Sequence, residues 1–217
     1  MDLWHIEQGL KAEGYRLICG VDEAGRGPLA GPVYAAAVIL PFGLSISGLN
    51  DSKKLSAKSR DALYDEIISK ALAYGISSAS HGEVDELNIL GATYLAMNRA
   101  IQTLVEEPDI ALIDGNRNQG IGILSQTIIG GDGKSASIAA ASILAKVSRD
   151  RLMIELAELY PQYGFEKHKG YGTKLHIERL RENGPCEIHR ESFIRKIMAS
   201  SQGGQAIAQP KDRLEKT

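Results

Sequence analysis

CGVDEAGRGPLAGP, Cys19 to Pro32, decides how the rest of the chain is read. An apolar run ends there in two adjacent acids, Asp22 and Glu23. A loop with glycine at 25, 27 and 31 follows, with Arg26 in its middle. Like charges so close at the end of a buried strand raise each other's pKa and need a reason to be there. Adjacent strand residues point to opposite faces, so the two carboxylates cannot both reach one ion from a regular strand. Either the chain turns at Glu23, which Ala24–Gly25 permits, or Glu23 offers its main-chain carbonyl.

Outward from this stretch, residues 16–22 read as a strand and 33–40 as its hairpin partner. Ser56 is placed to cap a helix running to about residue 73. A third strand is expected over 73–80. Over 86–106, Leu87, Leu90, Tyr94, Met97, Ile101 and Leu104 recur at helical spacing, until Pro108 ends the pattern. Strands follow at 109–115 and 122–130. An Ala- and Ser-rich helix over 135–160 suggests close packing on the sheet, and another helix is expected over 173–183. This order describes a mixed α/β layer fold with five strands flanked by helices. The last seventeen residues, 201–217, are polar and Gly/Gln-rich and are expected to be disordered.

With 217 residues the chain can bury roughly 70% of its unfolded surface and needs no staple to fold. Cys19 and Cys186 lie far apart, which suits a reducing cytosol, with Cys19 a buried strand residue. Residues 1–16 lack a signal-peptide core, so a cytoplasmic protein with no membrane association is expected, a monomer by default. Charge is uneven. Residues 1–144 carry 11 Lys+Arg and 17 Asp+Glu, a net of −6, whereas 145–217 carry 14 and 10, a net of +4. That division suits metal-binding carboxylates in one part and phosphate contacts in the other.

Two phosphate-binding patterns are excluded. GRGPLA (25–30) has dinucleotide-like glycine spacing, but Pro32 and VYAAAVIL after it are strand, not helix. GDGKS (131–135) lacks the first P-loop glycine, since position 128 is isoleucine. The strand-end acids carry more. Asp22 and Glu23 close strand one, Asp114 closes strand four, and Asp132 follows strand five. If strands one and four are neighbours, a hard divalent cation, Mg²⁺ or Mn²⁺, would relieve the repulsion between Asp22 and Asp114. Asp132 has a simpler alternative as a cap for the next helix.

The stretches GVDEAGRGPLAGPVYAAAVIL, DSKKLS (51–56), LNILGATYLAMNRA (87–100), LIDGN (112–116), AAASILAKVSRD (139–150) and HKGYGT (168–173) together resemble ribonuclease HII, the type 2 ribonuclease H family. The resemblance runs in order from about residue 16 to 197. It implies a ribonuclease H-like catalytic domain over 16–163, after an N-terminal segment 1–15 and before a helical substrate-binding extension over 164–200. It implies hydrolysis of the RNA strand of RNA–DNA hybrids, and cutting 5′ of ribonucleotides embedded in duplex DNA, with two Mg²⁺ or Mn²⁺ ions. The family's four carboxylates fall on Asp22, Glu23, Asp114 and Asp132. Its glycine loop falls on Gly25, Arg26 and Gly27, where bare backbone can approach the 2′-hydroxyl. Arg26 disfavours the related ribonuclease HIII, which usually has lysine in this loop.

The sugar-stacking tyrosine of the family falls on Tyr171, between two glycines. Lys53, Lys54, Lys146, Lys169 and Lys174 look like phosphate contacts, with a solvated surface as the alternative for each. Lys146 and Asp150 are also spaced as an i,i+4 ion pair. His168 and His176 are expected on the surface, with no spacing that builds a histidine metal site. Two other classes remain: a protein that only binds hybrid duplexes, which would not need four acids, and a small-substrate phosphatase, which would not need Tyr171 or the basic last third.

Overall fold

The computed structural model describes residues 2–49 and 55–202. Lys53 and Lys54 lie outside these residues, as does the tail from 203 onward. Five strands form one mixed sheet: β1 (Ile18–Ala24), β2 (Val33–Ile39), β3 (Ala73–Ala79), β4 (Ile110–Asp114) and β5 (Ser125–Ile128), in spatial order β3-β2-β1-β4-β5. The first three strands are antiparallel neighbours, while β4 runs parallel to β1 and β5 parallel to β4. Parallel pairing aligns the C-terminal ends of β1, β4 and β5 along one edge, where ligand sites of such sheets are usually built.

Helix α1 spans His5–Ala12, α2 Ala57–Lys70, α3 His81–Gln102 and α4 Ala136–Leu159. Ser56 caps α2 as expected, its hydroxyl accepting from the Ser59 amide. One face of the sheet is covered by α3, with Cys19, Val21, Ala35 and Ile113 meeting Ala92, Ala96 and Met97 in one core cluster. The other face meets α4 through Ala36, Val38 and a run of buried alanines, with α2 stacked behind. Alternation therefore sends odd-numbered β1 side chains toward α3 and even-numbered ones toward α4.

Helix α3 starts earlier than its apolar periodicity implies. Ser80 and Glu83 form a reciprocal cap before it, and Asn88 breaks it locally with φ 59°, its side chain accepting from the amides of Leu90 and Gly91. The helix also ends at Gln102, well before Pro108. At the N-terminus, Glu7 of α1 is buried and accepts from the Ser135 hydroxyl at 2.6 Å and the Ser137 amide at 3.2 Å. A carboxylate at the start of α4 is favoured by the helix dipole. The C-terminal part consists of α5 (Phe165–His168), α6 (Lys174–Asn183) and α7 (Glu191–Gln202). None of the described helices is long and apolar enough to cross a membrane.

Candidate active site

Because Val21 pairs with Ile113 in parallel register, Asp22 and Asp114 follow as neighbours on the α4 face. Asp22 is buried, and its carboxyl is pushed well above the usual range. Burial is the main cause, followed by the charges of Glu23 and Asp114; the Glu23 amide and the Ser142 hydroxyl oppose it by hydrogen bonding. Asp114 Oδ1 accepts from the Gly131 amide at 2.6 Å. That bond ties β4 to the short 3-10 turn Gly131–Gly133, which carries the buried Asp132 to the same edge. Asp132 does not cap α4; that position belongs to Ser135, whose hydroxyl accepts from the Ile138 amide at 3.2 Å.

The chain does not turn at Glu23. β1 continues in register, Glu23 against Ala35 and Ala24 against Tyr34, and bends only at Gly25, with φ 96°. The Glu23 side chain therefore leaves on the α3 face, opposite Asp22. There its Oε1 meets Arg26 Nη1 at 3.2 Å. Burial raises its carboxyl, which Arg26 partly offsets and the charge of Asp114 reinforces; Glu23, Arg26 and Asp114 line one cavity.

The glycine loop and Tyr171 face one cleft of about 440 Å³, lined by Glu23, Gly25, Arg26, Gly27, Lys146 and Tyr171 among others. Tyr171 is 41% exposed. Lys146 reaches this cleft with its ammonium already held by both oxygens of Asp150, at 2.5 and 2.7 Å. The internal-pair reading of that spacing is what forms. Lys169 adopts φ 51°, and its ammonium donates to the Glu166 carbonyl.

Two buried arginines hold the loops, and neither stands out in the sequence. Arg149 donates to the carbonyls of Ala30, Pro32 and Lys169; Arg190 donates to those of Gly25, Arg26 and Gly31. A side chain at Gly25 would place its Cβ 2.0 Å from Arg149 Nε, so glycine is required there for space as well as for positive φ. Burial lowers the pKa of both guanidiniums, Arg190 to about 10, yet each of the three nitrogens in both finds a carbonyl partner.

The histidines differ from expectation. His168 and His176 are not on the surface: they are 8% and 0% exposed and stack on each other with ring centroids 4.5 Å apart. Apolar packing around Phe165 encloses them together with His189. No repeating apolar spacing marks residues 163–190, so this small core was not visible in the sequence.

Among the described residues no three His, Cys, Asp or Glu side chains gather into a ready-made metal cage. The donor chemistry nevertheless fits a hard divalent cation. Asp22 is a buried carboxylate whose charged neighbours are acids, and a cation is what would favour its ionised form.

The sequence model of the ribonuclease HII family matches residues 19–196. Ribonuclease HII of Caldicellulosiruptor bescii is 56% identical over 196 residues, covering 90% of this chain and 95% of that protein. The crystal structure of the ribonuclease H2 from Pyrococcus horikoshii OT3 superposes with a TM-score of 0.72 at 25% identity, covering 86% of this chain and 99% of that one. A Bst ribonuclease HIII crystallised in complex with Mn²⁺ has a TM-score of 0.65 at 18% identity, over 86% of this chain and 70% of that one, a likeness of fold. The sheet order and its flanking helices are thus a ribonuclease H-like fold, and the chain belongs to the ribonuclease HII family: it is a type 2 ribonuclease H, a hydrolase.

Proposed function

We propose that this enzyme hydrolyses the RNA strand of RNA–DNA hybrids and cuts 5′ of ribonucleotides embedded in duplex DNA. The carrying observation is the pairing of Asp22 with Asp114 on adjacent parallel strands, at the edge where the glycine loop begins. Asp22 and Asp132 would hold one divalent ion, and Asp22, Asp114 and Glu23 a second. Magnesium or manganese bound there supplies Lewis-acid stabilisation for an attacking water and for the leaving 3′ oxygen, giving 5′-phosphate and 3′-hydroxyl ends.

For Glu23 the donor would be the main-chain carbonyl. Its amide donates to Asp22 Oδ1 at 2.7 Å rather than to β2. The N–H and C=O of an extended residue point the same way. The carbonyl therefore faces the β4 side, toward Asp114, while the side chain leaves on the α3 face, where Arg26 holds it. Its side chain serves instead to orient Arg26.

The rest of the chain's work is selection and placement. Amides and carbonyls of Gly25–Gly27 approach the ribose edge and read its 2′-hydroxyl. Arg26, half exposed, contacts an adjacent phosphate. Across the cleft Tyr171 packs against the sugar. Lys146, Lys169 and Lys53 add phosphate contacts, with 164–200 acting as the substrate-binding extension.

The deciding experiment is cleavage of a DNA duplex containing one ribonucleotide, with Mg²⁺ or Mn²⁺, by the parent and by Asp114→Asn. The parent is expected to cut on the 5′ side of the ribonucleotide. The variant should lose at least about a hundredfold in rate. Equal cutting by both proteins, or no cutting by the parent, overturns the proposal.

A further inference from the structure

His168, His176 and His189 are almost fully buried, and the partners of their ring nitrogens dictate where each proton sits. The Cys186 amide donates to His189 Nδ1 at 3.0 Å, so that nitrogen is bare. The Cys186 carbonyl, 3.3 Å from it, instead accepts the His189 amide at 3.0 Å, and the Cys186 thiol, 3.2 Å from the same nitrogen, faces it as a second donor. His189 must then carry its proton on Nε2, which faces His176 Nε2 at 3.1 Å. With its Nε2 accepting, His176 keeps its proton on Nδ1 and donates to the Tyr171 carbonyl at 2.9 Å. On the other side of Tyr171, the Gly170 amide donates to His168 Nδ1 at 3.2 Å, and His168 Nε2 donates to the Tyr163 carbonyl at 3.0 Å. The Tyr171 amide itself donates to the His168 carbonyl at 2.9 Å.

We propose that His189 and His176 form a neutral, one-way hydrogen-bond relay that positions Tyr171 for the reaction, with His168 stacked on His176 as its brace. Each bare nitrogen faces a donor: His189 faces the Cys186 amide, His176 faces His189, and His168 faces Gly170. An added proton on any of the three sets donor against donor: on His189 or His176 it breaks the relay, and on His168 it breaks the bond to Gly170. The relay also joins the two substrate-facing loops. Its far end, residues 186–190, bridges Ala30 through His189 and delivers Arg190 to the carbonyls of Gly25 and Arg26. Tyr171 and the glycine loop are thereby held in a fixed relation across the cleft.

The surroundings favour neutrality. Burial lowers His176 and His189 to about 4, and lowers His168 as well. Their charged neighbours are Glu166 and Lys169 beside His168, and His81 on α3 toward His189. Glu166 alone works against the neutral form.

The catalytic half of this proposal rests on the reading of Tyr171 given above; the tautomers do not. They are read by nitrogen NMR of the full chain with labelled histidine. At pH 7 His176 should carry its proton on Nδ1, and His168 and His189 on Nε2. A cationic ring, or His176 protonated on Nε2, overturns the relay whatever Tyr171 does. On the single-ribonucleotide duplex, His176→Leu should lower kcat about tenfold to a hundredfold. His176→Asn, whose side-chain amide still reaches the Tyr171 carbonyl, should recover most of that loss. A folded His176→Leu with the parental kcat, beside an inactive Tyr171→Ala, overturns the positioning role. Should His176→Leu not fold, the NMR pattern and the rate of His176→Asn decide. Unchanged turnover in Tyr171→Ala overturns the substrate reading and the positioning role together, leaving the measured tautomers as a structural fact.

Discussion

Asp22 is held in a state the isolated fold disfavours. Its carboxyl is raised by burial and by two acidic neighbours, so ionising it without a cation opposes folding. Functional sites commonly store destabilisation of this kind. Asp22→Asn keeps the acceptor for the Glu23 amide but removes the charge. In the presence of a chelator its Tm should exceed the parent's by about 2–4 °C or more. Mg²⁺ or Mn²⁺ should raise the parent's Tm and leave the variant's nearly unchanged. Calorimetry that found the variant less stable than the metal-free parent would contradict this account. The acids themselves were legible because strand-end carboxylates with no basic neighbour but Arg26 are hard to explain otherwise. Arg149 and Arg190 were not, because all but one of their partners are main-chain carbonyls more than a hundred residues away, such as Pro32 and Gly25.

Between elements, β1 and α4 pack backbone against backbone. A Cβ on Gly20 would lie 2.1 Å from the Ser137 carbonyl carbon and 2.2 Å from the Ile138 amide nitrogen. Gly20→Ala must push the strand and helix backbones apart, displacing Asp22 two residues along. The expected loss is about 3 kcal/mol, read from urea unfolding. A change under about 0.5 kcal/mol would show that the two backbones are not in contact. The alanine-rich sequence of α4 announced close packing, but nothing local names the glycine it meets. Helix α3 illustrates the same division. Its apolar periodicity marked the helix, whereas its start depends on the Ser80–Glu83 cap and on Asn88, which periodicity does not register.

For the whole molecule, the histidine core and the carboxylate edge respond to pH in opposite directions. His176 and His189 have folded pKa values near 4 against an ordinary 6.5. Between these values the unfolded chain binds protons that the folded chain refuses, so stability falls as pH drops from 6.5 toward 4. A single buried histidine contributes about 3 kcal/mol at most over that range. Asp22 and Glu23, raised by burial, act the other way: the stability tied to their protonated forms is lost as pH rises through their folded pKa values. Asp22→Asn removes the larger opposing contribution. Its urea midpoint should therefore fall more steeply than the parent's between pH 6.5 and 4.5. Parallel curves for the two proteins would refute this division.

Local signals in the chain were enough for the five strands and for helices α2, α3, α4 and α6, for the acids at the strand ends and for an exposed tyrosine between glycines, though not for α1, α5 or α7. These depend on spacing and residue type within a few positions. Tertiary structure decided which face each acid occupies, and it did so through register: β1 runs on through Ala24, so Asp22 joins Asp114 while the Glu23 side chain departs to α3. It also turned two histidines expected on the surface into the center of a small core, because Phe165, Tyr163 and His189 close around them only after residues 163–190 fold back on themselves. Burial and pairing are properties of that closed arrangement, and no window of sequence contains both partners.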